Sequence, residues 1–359
     1  LKIGLVGLSN SGKTTVFNAL TGQNLETTIY LTTSGNPNLA VVKVPDARLD
    51  KLSEIFKPKK TTHATIEYID YLGLTKGDPM QNRKVFDLIK DMDAIVDVVR
   101  VFEDDSVIHP IGKIDPLRDI ETVELELIFG DLELIDKRLD RMEQALKRSR
   151  KPDDSEKKLL LKCKEFLDKG LALRDVEFGE EDYRAMKPLQ FLSIKPEIIV
   201  LNIGENELNT NYTKELENII NKRYPLIQIL TMCGKIEMEI AQLSPDDAKL
   251  FLDDLGIDNS ASNRLIRICY DLLGLVTFFT TVGDEVRAWS ITKGTNAHKA
   301  AGKVHSDIER GFIKAEVISF DDFISARNIQ SAREKGLLRL EGKSYEVKDG
   351  DIINFRFHV

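Results

Sequence analysis

At 359 residues, 42% hydrophobic and 31% charged, the chain has the make-up of a globular protein too long for a single core, so two or three domains are expected. A formal net charge of −8 argues against a general nucleic-acid coat, and DNA is not an expected partner, although a local basic patch still suits RNA. No run of about 18 apolar residues and no charged-then-apolar leader is seen, so neither a membrane span nor a signal peptide is expected. Three scattered cysteines (Cys163, Cys233, Cys269) fit a reducing cytoplasm rather than a disulfide framework or a zinc site.

The apolar run Ile3-Gly4-Leu5-Val6 reads as a strand, and Gly7-Leu8-Ser9-Asn10-Ser11-Gly12-Lys13-Thr14-Thr15 follows it directly. That is G-x-x-x-x-G-K-[ST] at a strand-to-helix junction. Backbone N–H groups of such a loop point into a concavity that takes phosphate oxygens, and the helix it opens adds its positive end. Asn10, Ser11, Gly12, Lys13, Thr14 and Thr15 are the expected cradle, with Lys13 on the β- and γ-phosphates and the Thr14 hydroxyl on Mg²⁺. In the short helix to Thr21, Val16, Phe17 and Leu20 face the sheet.

Strands at Ala40–Val44, Thr65–Ile69 and Ala94–Val101 alternate with helical stretches up to residue 117, and Glu197–Leu201 resumes the pattern. This predicts a doubly wound, mostly parallel α/β sheet. Asp70-Tyr71-Leu72-Gly73 ends one strand, so Asp70 is expected to hold Mg²⁺ through water and the Gly73 N–H to sense the γ-phosphate. Leu74 follows, where Ras-like enzymes place a water-orienting Gln, so hydrolysis is expected to be slow or to use another group. Phe102 ends the strand from Ala94 and is placed either to stack on a base or to sit as an ordinary core residue.

Leu125, Ile128, Leu132, Ile135, Leu139, Met142 and Leu146 alternate spacings of three and four, a coiled-coil seam on one long helix. Pro152-Asp153-Asp154-Ser155 breaks it, and a second helix over about 155–170 turns Leu160, Cys163 and Leu167 inward, which predicts an antiparallel hairpin. Lys147, Arg148, Arg150 and Lys151 crowd its tip, with two readings of equal weight: a solvated helix end, or a contact for an acidic partner or RNA.

Asn202-Ile203-Gly204-Glu205 then stands at a strand end where a GTPase carries its Asn-Lys-x-Asp base reader. Glu205 is one methylene longer than the Asp that accepts from guanine, and an imperfectly paired buried donor costs roughly 1–3 kcal/mol. Asn202 can accept from the adenine amine, and backbone groups near Ile203 can meet the ring edge. Cys233-Gly234-Lys235 follows the strand Ile227–Leu230, where a backbone contact to the base is usual. These elements fall at strand carboxyl ends, in the order open α/β sheets use to bind ligands. After Gly274, strands at Val286–Ile291, Ala315–Ile318, Ser344–Val347 and Asp351–Phe357 around a helix at Asn296–Gly311 suggest a small β-grasp module.

Taken together the chain resembles the YchF/Obg-like ATPases, a branch of the translation-factor-related P-loop GTPases. The resemblance runs through Val44-Pro45-Asp46-Ala47-Arg48-Leu49-Asp50, Phe102-Glu103-Asp104-Asp105, Ile108-His109 and Asp115-Pro116. It continues in Arg287-Ala288-Trp289, Ala301-Gly302-Lys303-Val304-His305, Arg310-Gly311-Phe312-Ile313 and Lys348-Asp349-Gly350-Asp351. It implies a nucleotide-binding domain over 1–117 and 191–274, a helical insertion over 118–190 and a TGS domain over 275–359. It implies ATP preferred over GTP through the Asn-x-x-Glu pattern, and His109 as the water-orienting residue. It also implies a ribosome or ribosomal RNA contact through the insertion and the TGS domain. The family's switch segment appears here as Tyr30 to Asn38, which puts Ser34 at the Mg²⁺-binding Thr position with Thr33 beside it, and the glycine-rich segment after Gly77 is shorter than the family's. The expected function is an ATP-binding, slowly ATP-hydrolysing protein whose nucleotide state governs a partner contact. An Obg-type GTPase, or a nucleotide-gated interaction protein with incidental hydrolysis, are the alternatives.

Overall fold

The apolar runs become strands in chain order: β1 (Lys2–Val6), β2 (Asn38–Lys43), β3 (Lys60–Thr62), β4 (Thr65–Asp70), β5 (Ala94–Arg100), β6 (Glu197–Asn202) and β7 (Gln228–Met232). β8 (Leu275–Val282), β9 (Glu285–Thr292), β10 (Phe312–Ser319), β11 (Arg339–Glu341) and β12 (Asp351–Phe357) complete them. The helices used below are α1 (Lys13–Thr21), α2 (Ala47–Phe56), α3 (Pro79–Ile89), α4 (Pro116–Lys147), α5 (Asp154–Asp168), α6 (Glu180–Met186), α7 (Asn211–Arg223) and α8 (Gly234–Ile240). This computed structural model describes residues 1–25, 27, 36–148, 153–208, 210–254 and 259–358. By its internal contacts the chain divides into two compact units, 1–41 with 67–265, and 42–66 with 266–359.

The first unit is built on a sheet of order β2-β4-β1-β5-β6-β7, parallel from β4 through β7. Every residue of β5 and β6 is buried, as strands covered on both faces require. Successive strands step out from β1 in both directions, so a crevice opens at its carboxyl end, where such sheets bind ligands.

α4 starts with Pro116 at its first position and with the Asp115 carboxylate accepting the Arg118 N–H. Its early turns bury Ile120, Val123 and Leu127 against the sheet. Beyond them Ile128, Ile135 and Met142, with Leu132 and Leu139, pack on Leu159, Leu160, Cys163 and Leu167 of α5. Arg138 pairs with Glu156 and Asp136 with Lys164, so the two helices run antiparallel. The seam is shorter than its periodicity predicts. Leu125 and Leu146 are 36% and 51% exposed, because the lower end of α4 turns its apolar face to the sheet and Leu146 lies at the helix end. Asp131 sits in the interior of α4 and accepts from the Leu192 and Ser193 N–H groups and the Ser193 hydroxyl; burial pushes its carboxyl up to about 6. At the tip Lys147 and Arg148 are exposed, while Arg150 and Lys151 lie outside the described residues.

The second unit has the sheet order β11-β10-β12-β8-β9-β3. β12 is central, parallel to β8 and antiparallel to β10, the mixed pairing of a β-grasp. Ala297, Ala300 and Ala301 of the helix Ala297–Val304 are small enough to lie against Phe278, Phe312 and Ile353. The helix expected over 296–311 breaks at His305, whose backbone is extended, and resumes at Ser306–Arg310. Ser344–Val347 is not a strand. Glu346 makes an isolated bridge to Asn296, and β11 takes the place beside β10.

Residues 42–66 join this unit through β3, which extends the sheet parallel to β9. Arg48 holds the segment in place. Its guanidinium donates to Asp46 at 2.8 and 3.0 Å and to Asp349 at 2.6 Å, and Asp349 also accepts the Thr277 N–H. The two acidic motifs quoted from opposite ends of the chain therefore meet at one cation. Arg48→Ala is expected to destabilise the second unit by about 2 kcal/mol, the range for hydrogen bonds between charged groups. Amide exchange over 44–62 should quicken more than over 275–292, and equal protection in both variants would contradict this anchoring.

Candidate functional site

A cavity of about 830 Å³ opens over the loop between β1 and α1. Asn10, Gly12, Lys13, Thr14, Thr15, Asp70 and Gly73 line one end, and Phe102, Asn202, Ile203, Glu205, Cys233 and Lys235 line the other. Most of its wall is made of strand carboxyl ends and the segments that follow them, which is why residues distant in sequence converge here.

At the phosphate end, the buried Lys13 ammonium donates to the Leu8 carbonyl at 2.8 Å. Burial lowers its pKa, and Asp70 and Asp97 oppose that shift. The Thr14 hydroxyl donates to Asp70 Oδ2 at 2.9 Å, and Asn38 Nδ2 donates to the same oxygen at 3.2 Å. Asp70 Oδ1 is buried with no hydrogen-bond partner among the described residues. Burial raises this carboxyl's pKa, against the pull of Lys13 and of its two side-chain donors. A hydroxyl beside an unsatisfied carboxylate oxygen is the hard, all-oxygen donor set that suits Mg²⁺. Ser34, the third expected ligand, lies outside the described residues, as does Thr33.

The Asp-x-x-Gly turn lies directly on the phosphate loop. Leu74 N–H donates to the Gly7 carbonyl at 2.9 Å, and a Cβ on Gly73 would collide with the Ser9 backbone. Leu74 itself is fully buried among Val6, Leu8 and Leu72 and presents nothing to the cavity.

At the other end Asn202, 3% exposed, acts as a clamp. Its Nδ2 donates to the Ser11 carbonyl at 3.0 Å and its Oδ1 accepts the Gly234 N–H at 3.1 Å. The approach is so close that a Cβ on Gly12 would collide with the carboxamide. The Gly234 N–H and the Ile203 N–H, which donates to Met232, are both committed within the protein, so neither backbone donor is open to a base. Asn202 Oδ1 retains one lone pair. Glu205 is exposed at the rim and pairs with Lys235 at 2.9 Å.

Phe102 stands on the cavity wall with the Arg100 guanidinium 4.5 Å from its ring centre. Arg100 also donates to the carbonyls of Phe102, Asp104 and Val107, pinning the loop that follows β5. Asn10 Nδ2 reaches the Ile108 carbonyl at 2.9 Å and ties the same loop to the phosphate loop. Arg100 escaped the sequence reading because a charged residue inside an apolar strand carries no motif. Lys235 was visible next to Gly234, but its charge had no partner until Glu205 was placed.

Two expected site residues turn away from the cavity. The Ser11 side chain is buried on the far side of the loop, where its hydroxyl has no partner among the described residues. The His109 side chain is 5% exposed and does not line the cavity. Its Nδ1 accepts the Ile111 N–H at 3.2 Å, which leaves Nε2 to donate to Asp119 at 2.9 Å. Arg118 donates to the same carboxylate. Both ring nitrogens are engaged, so in this conformation His109 orients no water.

A family model described as a 50S ribosome-binding GTPase matches residues 2–129, and a YchF GTPase C-terminal model, described as a protein of unknown function, matches 275–358. The chain is 42% identical to the ribosome-binding ATPase YchF of Bacillus subtilis, with all of both chains covered. It is 40% identical to the ribosome-binding ATPase YchF of Escherichia coli O157:H7, covering 100% of this chain and 99% of that one. The solved structure of the Schizosaccharomyces pombe YchF GTPase is similar with a TM-score of 0.85 at 29% identity, covering 99% of this chain and 97% of that one.

The clamp has a direct test. Asn202→Ala leaves the Ser11 carbonyl and the Gly234 N–H without partners and is expected to cost about 2 kcal/mol, or about 5 °C in the first unit's melting temperature. An unchanged calorimetric midpoint would mean that other contacts hold the two loops together.

Proposed function

The chain belongs to the YchF family, and on that footing we propose that it binds ATP with Mg²⁺ in the cavity over residues 7–15, hydrolyses it slowly, and uses the bound nucleotide to govern a contact with the ribosome. The observation that carries this reading is one cavity that brings Lys13, Thr14 and Asp70 together at one end and Phe102, Asn202 and Glu205 at the other. Backbone N–H groups of the loop and the Lys13 ammonium hold the phosphates. Thr14 and, through water, Asp70 would hold Mg²⁺, with Ser34 or Thr33 as the further ligand; the ion supplies charge neutralisation between the phosphates. The Gly73 N–H meets the γ-phosphate.

Phe102 stacks on the base, and Asn202, Ile203, Glu205, Cys233 and Gly234 shape its pocket. Glu205, held at the rim by Lys235, supports adenine over guanine. An exocyclic amine can donate to it there, whereas guanine needs a carboxylate closer in for two donors at once. Glu205→Asp with Ile203→Lys is expected to shift the ratio of GTP to ATP affinity upward by about tenfold, the worth of one hydrogen bond to a charged group. Calorimetric titration of the purified protein with each nucleotide reads this, and tighter GTP than ATP binding in the wild type would overturn the base assignment.

Slow turnover follows from two residues that face away from the γ-phosphate end. Leu74 is buried and apolar, and His109 is latched to Asp119. We infer that His109 orders the attacking water only after leaving Asp119, which requires the 102–111 loop to move. His109→Ala is then expected to lower kcat about tenfold or more while ATP affinity changes less than about twofold, because ordering water acts in the transition state. Single-turnover rates at saturating ATP check it, and an unchanged rate would leave hydrolysis without an identified side chain. For the partner contact, the exposed Lys147 and Arg148, with Arg150 and Lys151, suit the phosphates of ribosomal RNA, and the TGS domain offers a second surface. A ribosomal partner would place the protein in the cytoplasm. Among the described residues no helix is long and apolar enough to cross a membrane.

A further inference from the structure

Asp97, on β5 beneath the phosphate loop, has no part in the roles above. Its side chain is fully buried, and neither carboxyl oxygen has a hydrogen-bond partner among the described residues. A Cβ on Gly7 would stand 3.2 Å from Asp97 Oδ1 and 3.0 Å from Ser11 Oγ, so both groups lie against the loop's own backbone. Ser11 Oγ is also without a partner, in a residue 2% exposed. A cavity of about 10 Å³, walled by Ser9, Ser11, Asp97, His109 and Asp119 among others, has room for one water. Unsatisfied buried polar atoms are rare in folded proteins, and three beside one small cavity ask for a reason.

The surrounding charges supply it. Glu197 on β6, Glu124 and Asp119 on α4, and Lys13 on α1 act on Asp97. Arg174 is committed to Glu124 and Glu197, and Arg100 on Asp97's own strand to the loop carbonyls. Asp119 is engaged by His109 and Arg118. Among the described residues Lys13 is therefore the cation left to oppose the charge of Asp97, and Lys13 is also the residue that phosphates claim. Burial, then Glu197 and Glu124, push the Asp97 carboxyl well above the usual carboxylate range, while Lys13 pulls it down.

We propose that Asp97 is the buried counter-charge of Lys13 and takes up a proton from solvent when nucleotide phosphates draw the ammonium to themselves, so that phosphate binding is linked to the protonation of one carboxyl. The neutral carboxyl then has a hydrogen to donate to Ser11 Oγ or to a water taken into that cavity. Asp97 is thus a positioning residue, and its role rests on reading residues 7–15 as the phosphate site. Phosphate binding raises the proton affinity of Asp97, so between its free and bound pKa values the nucleotide-bound protein holds one more proton. Nucleotide affinity therefore falls as pH rises through that window and is flat on either side of it.

The test is calorimetry of Mg·ADP binding in two buffers of different ionisation enthalpy, from about pH 6 to 9. The wild type is expected to take up as much as one proton per nucleotide more than Asp97→Asn, with affinity falling by up to about tenfold per pH unit. Asp97→Asn, which mimics the neutral carboxyl, is expected to bind with a flatter profile and more tightly than the wild type at the alkaline end. Titration of the nucleotide's own phosphate is common to both proteins and cancels in the difference. Equal proton uptake in the two would overturn the proposal. Absence of Mg·ADP binding to the wild type would overturn the phosphate-site reading and this proposal together. Should Asp97→Asn fail to fold, infrared difference spectra of the wild type serve in its place. A protonated-carboxyl band gained on binding Mg·ADP at alkaline pH is expected, and no gain would contradict the linkage.

Discussion

The proposed nucleotide site depends on a single carboxamide. Asn202 reaches across from the end of β6, gives one hydrogen to the phosphate loop and takes one from the first residue of α8, so three segments that follow strands are fixed by two hydrogen bonds. Glycine at position 12 makes the approach possible, since any side chain there would occupy the space of the carboxamide. The loop's N–H groups can face a phosphate only while the backbone is held open in this way. Around that clamp the other attachments are secondary: Leu74 onto Gly7, Asn10 onto Ile108, and Arg100 onto the carbonyls of 102–107.

Behind the site lies a charged interior that an apolar core would not need. Glu124, Arg174 and Glu197 form a buried pair of ion contacts, and Asp131 collects three donors from the turn at 192–193. Buried ion pairs contribute little net stability, but removing one partner leaves a charge uncompensated, so they fix a register firmly. Asp119, Glu124 and Asp131 all belong to α4. The same helix therefore holds the His109 latch, the ion contact to β6 and the return of the chain to the sheet. Its 32 residues, about 48 Å, then carry on to the basic tip.

Much of this was legible in the sequence because it is written in local patterns. The phosphate-loop motif, the parallel strands of the first sheet and the packed middle of the helical seam rest on spacing alone. What escaped depends on contacts between distant segments. β3 is three polar residues with no apolar alternation, and it is a strand because β9 offers it an edge. Ser344–Val347 alternates like a strand yet has no neighbour to pair with beyond a single bridge. At the site, residue types were readable but directions were not. Ser11 and His109 stand in the right segments and turn inward: His109 finds the Asp119 carboxylate there, while the Ser11 hydroxyl is buried without a partner among the described residues. Asp97 looked like one polar residue in an apolar strand until the loop above it was in place.

We propose one site for a Mg²⁺-bound nucleoside triphosphate, formed by the strand-end loops of the first unit. Amide hydrogen exchange of the whole chain with and without saturating Mg·ATP tests it most directly. Slowed exchange is expected over 8–16, 70–75, 102–108, 202–207 and 233–238 together, with β8 and β9 unchanged. Protection confined to the second unit, or none in the phosphate loop at saturating nucleotide, would contradict it.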